Sequence, residues 1–203
     1  MGKTAERKKI STPLKSELLE KLTYEMVDGK PIYYRNYERV LKGELPPEAV
    51  MGSSELQALI IGLLLKYLYK VLPNDYVVLT NELGFYTSPK SYRSLDIAVY
   101  RKEDMKKPST GYAKKPPKVV IEVDTKADLR NYATFEEYMF EKTQELLDAG
   151  VEAVAWYITR VKKVFFAERG KDWVASDWDK TVKLPIGVEI NLAKLLEEEG
   201  IKP

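Results

Sequence analysis

Pro116-Pro117-Lys118-Val119-Val120-Ile121-Glu122-Val123-Asp124 decides how this chain is read. From Lys118 the run is apolar and β-branched, as a strand buried on both faces is, and the proline pair bounds it upstream. Side chains alternate along a strand, so Val119, Ile121 and Val123 face one way while Val120, Glu122 and Asp124 face the other. Two carboxylates therefore stand where the pattern asks for apolar groups. Ser94-Leu95-Asp96-Ile97-Ala98-Val99-Tyr100 repeats the anomaly, with Leu95, Ile97 and Val99 on one face and Ser94, Asp96 and Ala98 on the other. Aspartate is depleted in strands and costly if buried unpaired. If the two strands are neighbours, three carboxylates converge and raise one another's pKa, a conflict that a divalent cation resolves.

Working outward, Thr134 with Glu137 forms a capping box that opens a helix ending at Gly150. Its stripe of Phe135, Tyr138, Met139, Leu146 and Ala149 follows helical spacing, and Lys142 falls in the middle. A lysine there either snorkels outward or points at buried carboxylates. Ala153-Val154-Ala155-Trp156-Tyr157-Ile158 then reads as a central strand. Upstream, Asp28-Gly29 among β-formers from Tyr24 to Tyr34 signals a hairpin. Ser54 with Gln57 resembles a second capping box, opening a helix to about Val71 that is apolar around most of its surface and so lies in the core or a subunit interface. Tyr76 to Leu79 reads as a strand that Phe85-Tyr86 either continues or follows as a separate element. Val164 to Phe166 and Trp173-Val174 flank Arg169-Gly170 as a hairpin, and a helix from Leu192 to Glu199 closes the chain. The order predicts one α/β domain over residues 17–203, a mixed β-sheet flanked by helices with an N-terminal β-hairpin extension. Residues 1–16, with Lys3, Arg7, Lys8, Lys9 and Lys15, read as a basic arm or a short leading helix.

Composition narrows the chemistry. The 203 residues contain no histidine and no cysteine, which removes histidine bases, serine–histidine triads, thiol nucleophiles and zinc sites. No haem, nucleotide or zinc cofactor is expected. Thirty-three basic against 31 acidic side chains leave a net charge of +2, too balanced to imply nucleic acid on its own. The longest apolar run, Ala58 to Leu65, is too short to span a bilayer, and Met1-Gly2-Lys3-Thr4 lacks a signal peptide's apolar segment. The expectation is a cytoplasmic protein with no membrane partner. Catalysis would rest on carboxylates, hydroxyls, lysine or arginine, or on a hard ion held by oxygen, for which Mg²⁺ and Mn²⁺ are the natural choices. Each anomaly also has a structural reading. Asp96 could satisfy backbone groups at a strand end, Asp124 could start a turn, and Glu122 with Lys142 could be an ion pair across the sheet–helix seam. Between the two carboxylate strands, Arg101, Lys102, Lys106, Lys107, Lys114 and Lys115 form a basic stretch suited to phosphate contact or to plain solvation, with Arg93 a further phosphate candidate.

Taken in order, these pieces resemble the Uma-type family of restriction endonucleases, abundant in cyanobacteria, within the PD-(D/E)XK nuclease-like superfamily. The likeness runs from Tyr24-Glu25-Met26-Val27-Asp28-Gly29-Lys30-Pro31, through the helix Ser53 to Leu68 and the strand Leu95-Asp96-Ile97-Ala98-Val99, to Pro116-Pro117-Lys118-Val119-Val120-Ile121-Glu122-Val123 and the stretch from Lys142 to Trp156. The resemblance implies a restriction-endonuclease-like core and a Mg²⁺-dependent DNA endonuclease. It also implies that Asp96 and Glu122 hold the ion with the Val123 carbonyl, that Glu55 adds a carboxylate, and that Lys142 stabilises the developing charge. Asp124 would be a further ligand or base, and the superfamily habit favours a homodimer. The chain departs from the pattern in three places: Leu95 replaces a proline, Asp124 stands where the superfamily's motif lysine would be, and Ser53 and Ser54 stand near the position of a histidine that often precedes the first core helix. The alternatives are a non-catalytic descendant of the nuclease fold, acting as a nucleic-acid-binding or assembly module, and a phosphohydrolase of small phosphoesters.

Overall fold

The computed structural model describes residues 12–202, so most of the 1–16 arm lies outside the described residues, and Thr12 onward is helix. After α1 (Thr12–Lys21), β1 (Thr23–Val27) and β2 (Lys30–Tyr33) form the expected hairpin. Asp28 and Gly29 both take positive φ, 48° and 76°, the backbone signature of the tight turns that match strand twist. Two short helices, α2 (Tyr37–Leu41) and α3 (Glu48–Met51), precede α4 (Glu55–Val71). Next come β3 (Tyr76–Ser88), β4 (Ser91–Arg101), a 3₁₀ turn at Lys102–Met105 and β5 (Val119–Val123). They are followed by α5 (Phe135–Asp148) and β6 (Ala153–Ile158), then by the hairpin of β7 (Lys163–Glu168) and β8 (Val174–Asp177). A small separate hairpin, β9 (Val182–Leu184) with β10 (Val188–Ile190), leads into α6 (Leu192–Glu198). No helix among the described residues is long and apolar enough to cross a membrane.

The main sheet runs β2-β1-β4-β5-β6-β7-β8, with β3 also on β4. It is mixed because β5 and β6, joined through α5, are parallel while every other pairing is antiparallel. The N-terminal hairpin is joined to this sheet through Met26 beside Tyr92 of β4. All five residues of β5 are buried, as a strand covered on both faces requires. On one face Ile60, Leu64 and Leu68 of α4 pack with Ile97, Ile121, Ala155 and α6. On the other, Tyr138, Met139 and Leu146 of α5 pack with Val120, Val154 and Trp156. The apolar α4 thus faces its own core.

Simple alternation fails along β4. Ile97 and Val99 lie on the α4 side, but Leu95 packs on the α5 side with Ala98 and Tyr100, so it does not share the Ile97 face. The slip falls at Asp96, opposite an irregularity in β3 where Asn81 and Glu82 both take positive φ, 72° and 53°. Such bulges re-aim side chains, and this one releases Asp96 from strict facing.

Gly150, the residue that ends α5, has φ 112°, and a Cβ there would lie 2.9 Å from Cγ of Pro116. Gly150→Ala should therefore cost about 1–3 kcal/mol of unfolding free energy in urea titration. An unchanged midpoint would show that this turn relaxes freely.

Candidate active site

Lys142 anchors the site. Its side chain is fully buried on α5, and its ammonium donates to the Ser94 carbonyl at 2.6 Å. Glu25 Oε1 of β1 lies 2.9 Å away and Glu122 Oε1 of β5 lies 3.1 Å away. The rings of Tyr24 and Trp156 flank it at 6.0 and 5.4 Å from their centroids, within cation–π range. Of the two sequence readings, the lysine takes the inward one: it points at buried carboxylates.

Glu25 is the participant that sequence reasoning missed. Fully buried, it accepts from the Ser94 N–H at 3.1 Å, from Tyr138 Oη at 2.9 Å and from Arg93 at 3.0 Å, besides meeting Lys142. Burial opposes its ionisation, but Lys142 and Arg93 outweigh burial and hold its pKa below the ordinary carboxylate value. In an alternating run such as Thr23-Tyr24-Glu25-Met26-Val27, a glutamate looks like the solvent-facing half. The only sequence signal was its place opposite another buried polar strand position, which requires knowing the sheet order.

Glu122, buried beside Lys142, behaves oppositely. Desolvation dominates, Lys142 offsets it only in part, and Asp96 and Glu25 add repulsion, so its pKa is pushed up to about 8. Its Oε1 sits within ion-pair distance of Lys142 without the alignment of a hydrogen bond and has no other partner. Lys142 itself loses by burial but gains more from Glu122 and Glu25, and its pKa is raised. These directions pull against each other, since a protonated Glu122 would not help Lys142. Glu25, whose pKa is lowered, is the ionised counter-ion of this lysine.

Asp96 closes the group from β4. The β4–β5 ladder runs Val99↔Val119, Ala98↔Val120, Ile97↔Ile121, and the next step would set Asp96 opposite Glu122. There the Asp96 carboxylate, 5% exposed, accepts from the backbone N–H of Val123 at 2.8 Å. Burial raises its pKa despite that bond. Asp96, Glu122 and Lys142 thus come together as the spacing predicted.

Other expected members do not. Asp124 leaves strand geometry, with φ 56°, and its carboxylate accepts from Thr159 N at 2.9 Å and Thr159 Oγ1 at 2.6 Å. It ties the end of β5 to the end of β6 and is spent on that. The Val123 carbonyl accepts from Gln57 Nε2 at 2.6 Å, so one of its lone pairs is taken. Gln57 therefore does not return to Ser54 to complete a capping box, although Ser54 does cap α4 by accepting the Gln57 N–H. Glu55 is exposed on the first turn of α4. Residues two apart on a helix point in different directions, so the turn that brings Gln57 to β5 sends Glu55 away. Among the described residues no three acidic side chains are grouped closely enough to hold an ion by themselves.

The basic residues divide as well. Arg93 is no phosphate contact: fully buried, it binds Glu25, Glu141 at 2.9 Å and Glu145 at 2.7 Å. Arg101 pairs with Asp75 and lies 4.3 Å over the Tyr76 ring, and Lys115 pairs with Asp104 at 3.2 Å. Lys102, Lys106, Lys107 and Lys114 are exposed. A different opening adjoins the carboxylates, a cleft of about 730 Å³ lined by Arg35, Ser54, Gln57, Asp124, Lys126 and Arg160 among others. It touches the site through Gln57, which holds Val123.

The Uma2 family, described as "Putative restriction endonuclease", matches residues 34–193. The fold is similar to a solved structure described as "a putative nuclease belonging to DUF820 from Anabaena variabilis ATCC 29413", with a TM-score of 0.52, 13% identity, and coverage of 70% of this chain and 78% of that one. No curated protein matches. A family match over residues 34–193 of 203, enclosing Asp96, Glu122 and Lys142, means that the chain belongs to the Uma2 family.

Proposed function

We propose that this protein is a Mg²⁺-dependent endonuclease that hydrolyses DNA phosphodiester bonds, with Mn²⁺ as a competent substitute. The observation that carries the reading is the state of Glu122: a buried carboxylate beside Asp96, with an oxygen lacking a hydrogen bond and a pKa near 8. Such a group gains by accepting either a proton or a cation. Hard oxygen donors on adjacent strands, in a site without nitrogen or sulfur ligands, fit a magnesium-class ion.

Asp96 and Glu122 are the residues that would hold the ion. Once bound, it supplies Lewis acidity toward water and phosphate oxygens. Lys142 contributes a fixed positive charge in a dry environment, where stabilisation of a developing phosphorane charge is strongest. Glu25 positions Lys142 and keeps it charged, and Gln57 holds the Val123 peptide whose N–H orients Asp96. Two copies acting together would suit cleavage of both strands.

A second reading has one observation behind it. The Lys142 ammonium is taken up inside the core, by a hydrogen bond to the Ser94 carbonyl and ion pairs with Glu25 and Glu122. That suits a nuclease-fold descendant that binds or assembles without cleaving.

Supercoiled plasmid separates the readings. Wild-type protein should nick and linearise it with Mg²⁺ or Mn²⁺ and fail in EDTA. Asp96→Asn, Glu122→Gln and Lys142→Met should each reduce the rate by about 10²-fold or more. Cleavage that survives all three substitutions would sink the assignment, and absence of any cleavage would favour the binding module.

Stability against pH provides an independent check. Because the folded pKa of Glu122 is raised from the ordinary 4.5 to about 8, the unfolded chain loses this proton first. Between pH 4.5 and 8 the folded state holds more protons, so this group's contribution to stability falls as pH rises, at most about 1.4 kcal/mol per unit. Glu122→Gln lacks that penalty. Its stability relative to wild type should rise from pH 5 to 8 and level off above; a gap constant with pH would refute the burial of an uncompensated carboxylate.

A further inference from the structure

The described arginines are nearly all spent. Arg39 pairs with Glu44, Arg93 with Glu25, Glu141 and Glu145, Arg101 with Asp75, and Arg130 with Asp128 and Glu38. Arg169 donates to the carbonyls of Gly150 and Val151 at the end of α5. Two remain. Arg35 gives one N–H to the Thr125 carbonyl at 3.1 Å and forms no ion pair, its charge felt only at longer range by Asp128, and Arg160 makes no hydrogen bond or ion pair among the described residues. Both are exposed, and both line the cleft beside Gln57.

They reach it from different elements. Arg35 follows β2 and Arg160 follows β6, whose parallel neighbour β5 carries Glu122. Of the acidic groups on the cleft wall, Asp124 is engaged by both donors of Thr159, and Glu136 sits on the exposed first turn of α5. Lys126 adds a third cation, tied to Glu82 and the Met51 carbonyl. A guanidinium with free donors presents a planar fork that matches a phosphate, and a cleft concentrates its field.

The lysine-rich loop is placed less well. Lys102, Lys106 and Lys107 follow the far end of β4. That end lies about 17 Å from Asp96, given five residues at ~3.4 Å each. Farther on, Ala113 folds back onto the outer edge of β3, where it bonds the backbone of Gly84 and Tyr86.

We propose that the backbone of duplex DNA enters through this cleft, gripped at its phosphates by Arg35 and Arg160, and not across the 102–115 loop. The proposal rests on the nuclease reading above and adds the path of the substrate. Phosphates held at the ends of β5 and β6 lie next to the Val123 peptide, and so next to Asp96 and Glu122.

Fluorescence anisotropy with a labelled duplex of mixed sequence tests the path, in EDTA and again with Ca²⁺ in place of Mg²⁺ to suppress cleavage. Arg35→Ala and Arg160→Ala should each weaken binding by roughly threefold to tenfold, and each should lower the slope of log K against log salt by about 1. Arg35→Lys and Arg160→Lys should recover part of the loss, and the melting temperature of Arg160→Ala should not move, since that side chain is exposed and holds no partner. A Lys106→Ala/Lys107→Ala/Lys114→Ala triple variant should bind as wild type does. Weakening confined to the triple variant would overturn the path while leaving the nuclease reading intact. Displacement of the duplex by inorganic phosphate at the phosphate concentration of competitor DNA would mark a small-anion site and overturn it too. Failure of the wild type to bind duplex in either buffer would overturn the DNA reading itself, and the path with it.

Discussion

A lysine ammonium cannot stay charged inside a protein core without partners, and the burial of Lys142 imposes that requirement on everything around it. One carboxylate, Glu25, meets it from β1, which is why the N-terminal hairpin is joined to the sheet and is no loose extension. Glu25 has a second oxygen to satisfy, and Arg93 and Tyr138 do so. Arg93 in turn has donors left over, which Glu141 and Glu145 accept one turn apart on α5. A single buried charge thus fixes the hairpin, the first half of β4 and the packing angle of α5 through one connected set of ion pairs. Removing any one member strands its neighbours, and a stranded buried charge is more costly than a missing bond.

The same set leaves a surplus of negative charge. Glu25, Asp96 and Glu122 are buried against Lys142 and Arg93, and Arg93 also faces Glu141 and Glu145. Glu25 has claimed the cations, with its pKa lowered, while Glu122 and Asp96 have theirs raised. The division is physical: Glu25 accepts three hydrogen bonds and pairs with Lys142 besides, whereas Glu122 has an oxygen with no hydrogen bond. One acid is ionised against fixed cations, and the other two are left short of positive charge. Two environments set the roles of chemically similar groups.

Much of this was legible in the sequence, for reasons that also explain what was not. The Asp28-Gly29 turn, the capping residues Ser54 and Thr134, and the doubly buried β5 and β6 are local signals, and each appears where its residues place it. Asp96, Glu122 and Lys142 stood out because each broke an apolar pattern. Glu25 broke none, since in an alternating edge-like strand a glutamate is ordinary, and its burial follows only from what β4 and α5 lay over it. Asp124 does not join Glu122 because alternation ends with the strand at Val123, and φ turns positive one residue on. Gln57 looked like the second half of a capping box because spacing alone cannot distinguish a side chain turned back to its own helix from one turned to a neighbouring strand. Short helices such as α2 and α3 offer too few turns for a periodicity to register.

The peptide of Val123 is where fold and chemistry join. In an uninterrupted ladder its N–H would bond a carbonyl of the strand alongside. Here the Asp96 side chain accepts it instead, and the β4–β5 ladder stops at Ile97↔Ile121. The two strands can therefore part at the point where both carry carboxylates, while no backbone donor is left unsatisfied. The carbonyl of the same residue accepts from Gln57, so α4 fixes the orientation of a peptide that in turn fixes Asp96. Without that bond the end of β5 would be held by Asp96 on one side and by Asp124 and its contacts to β6 on the other. The position of the candidate metal-holding aspartate is thus set by a glutamine on a helix across the sheet, and that glutamine lines the cleft. A ligand entering the cleft meets the group that aims the carboxylate before it meets the carboxylate itself.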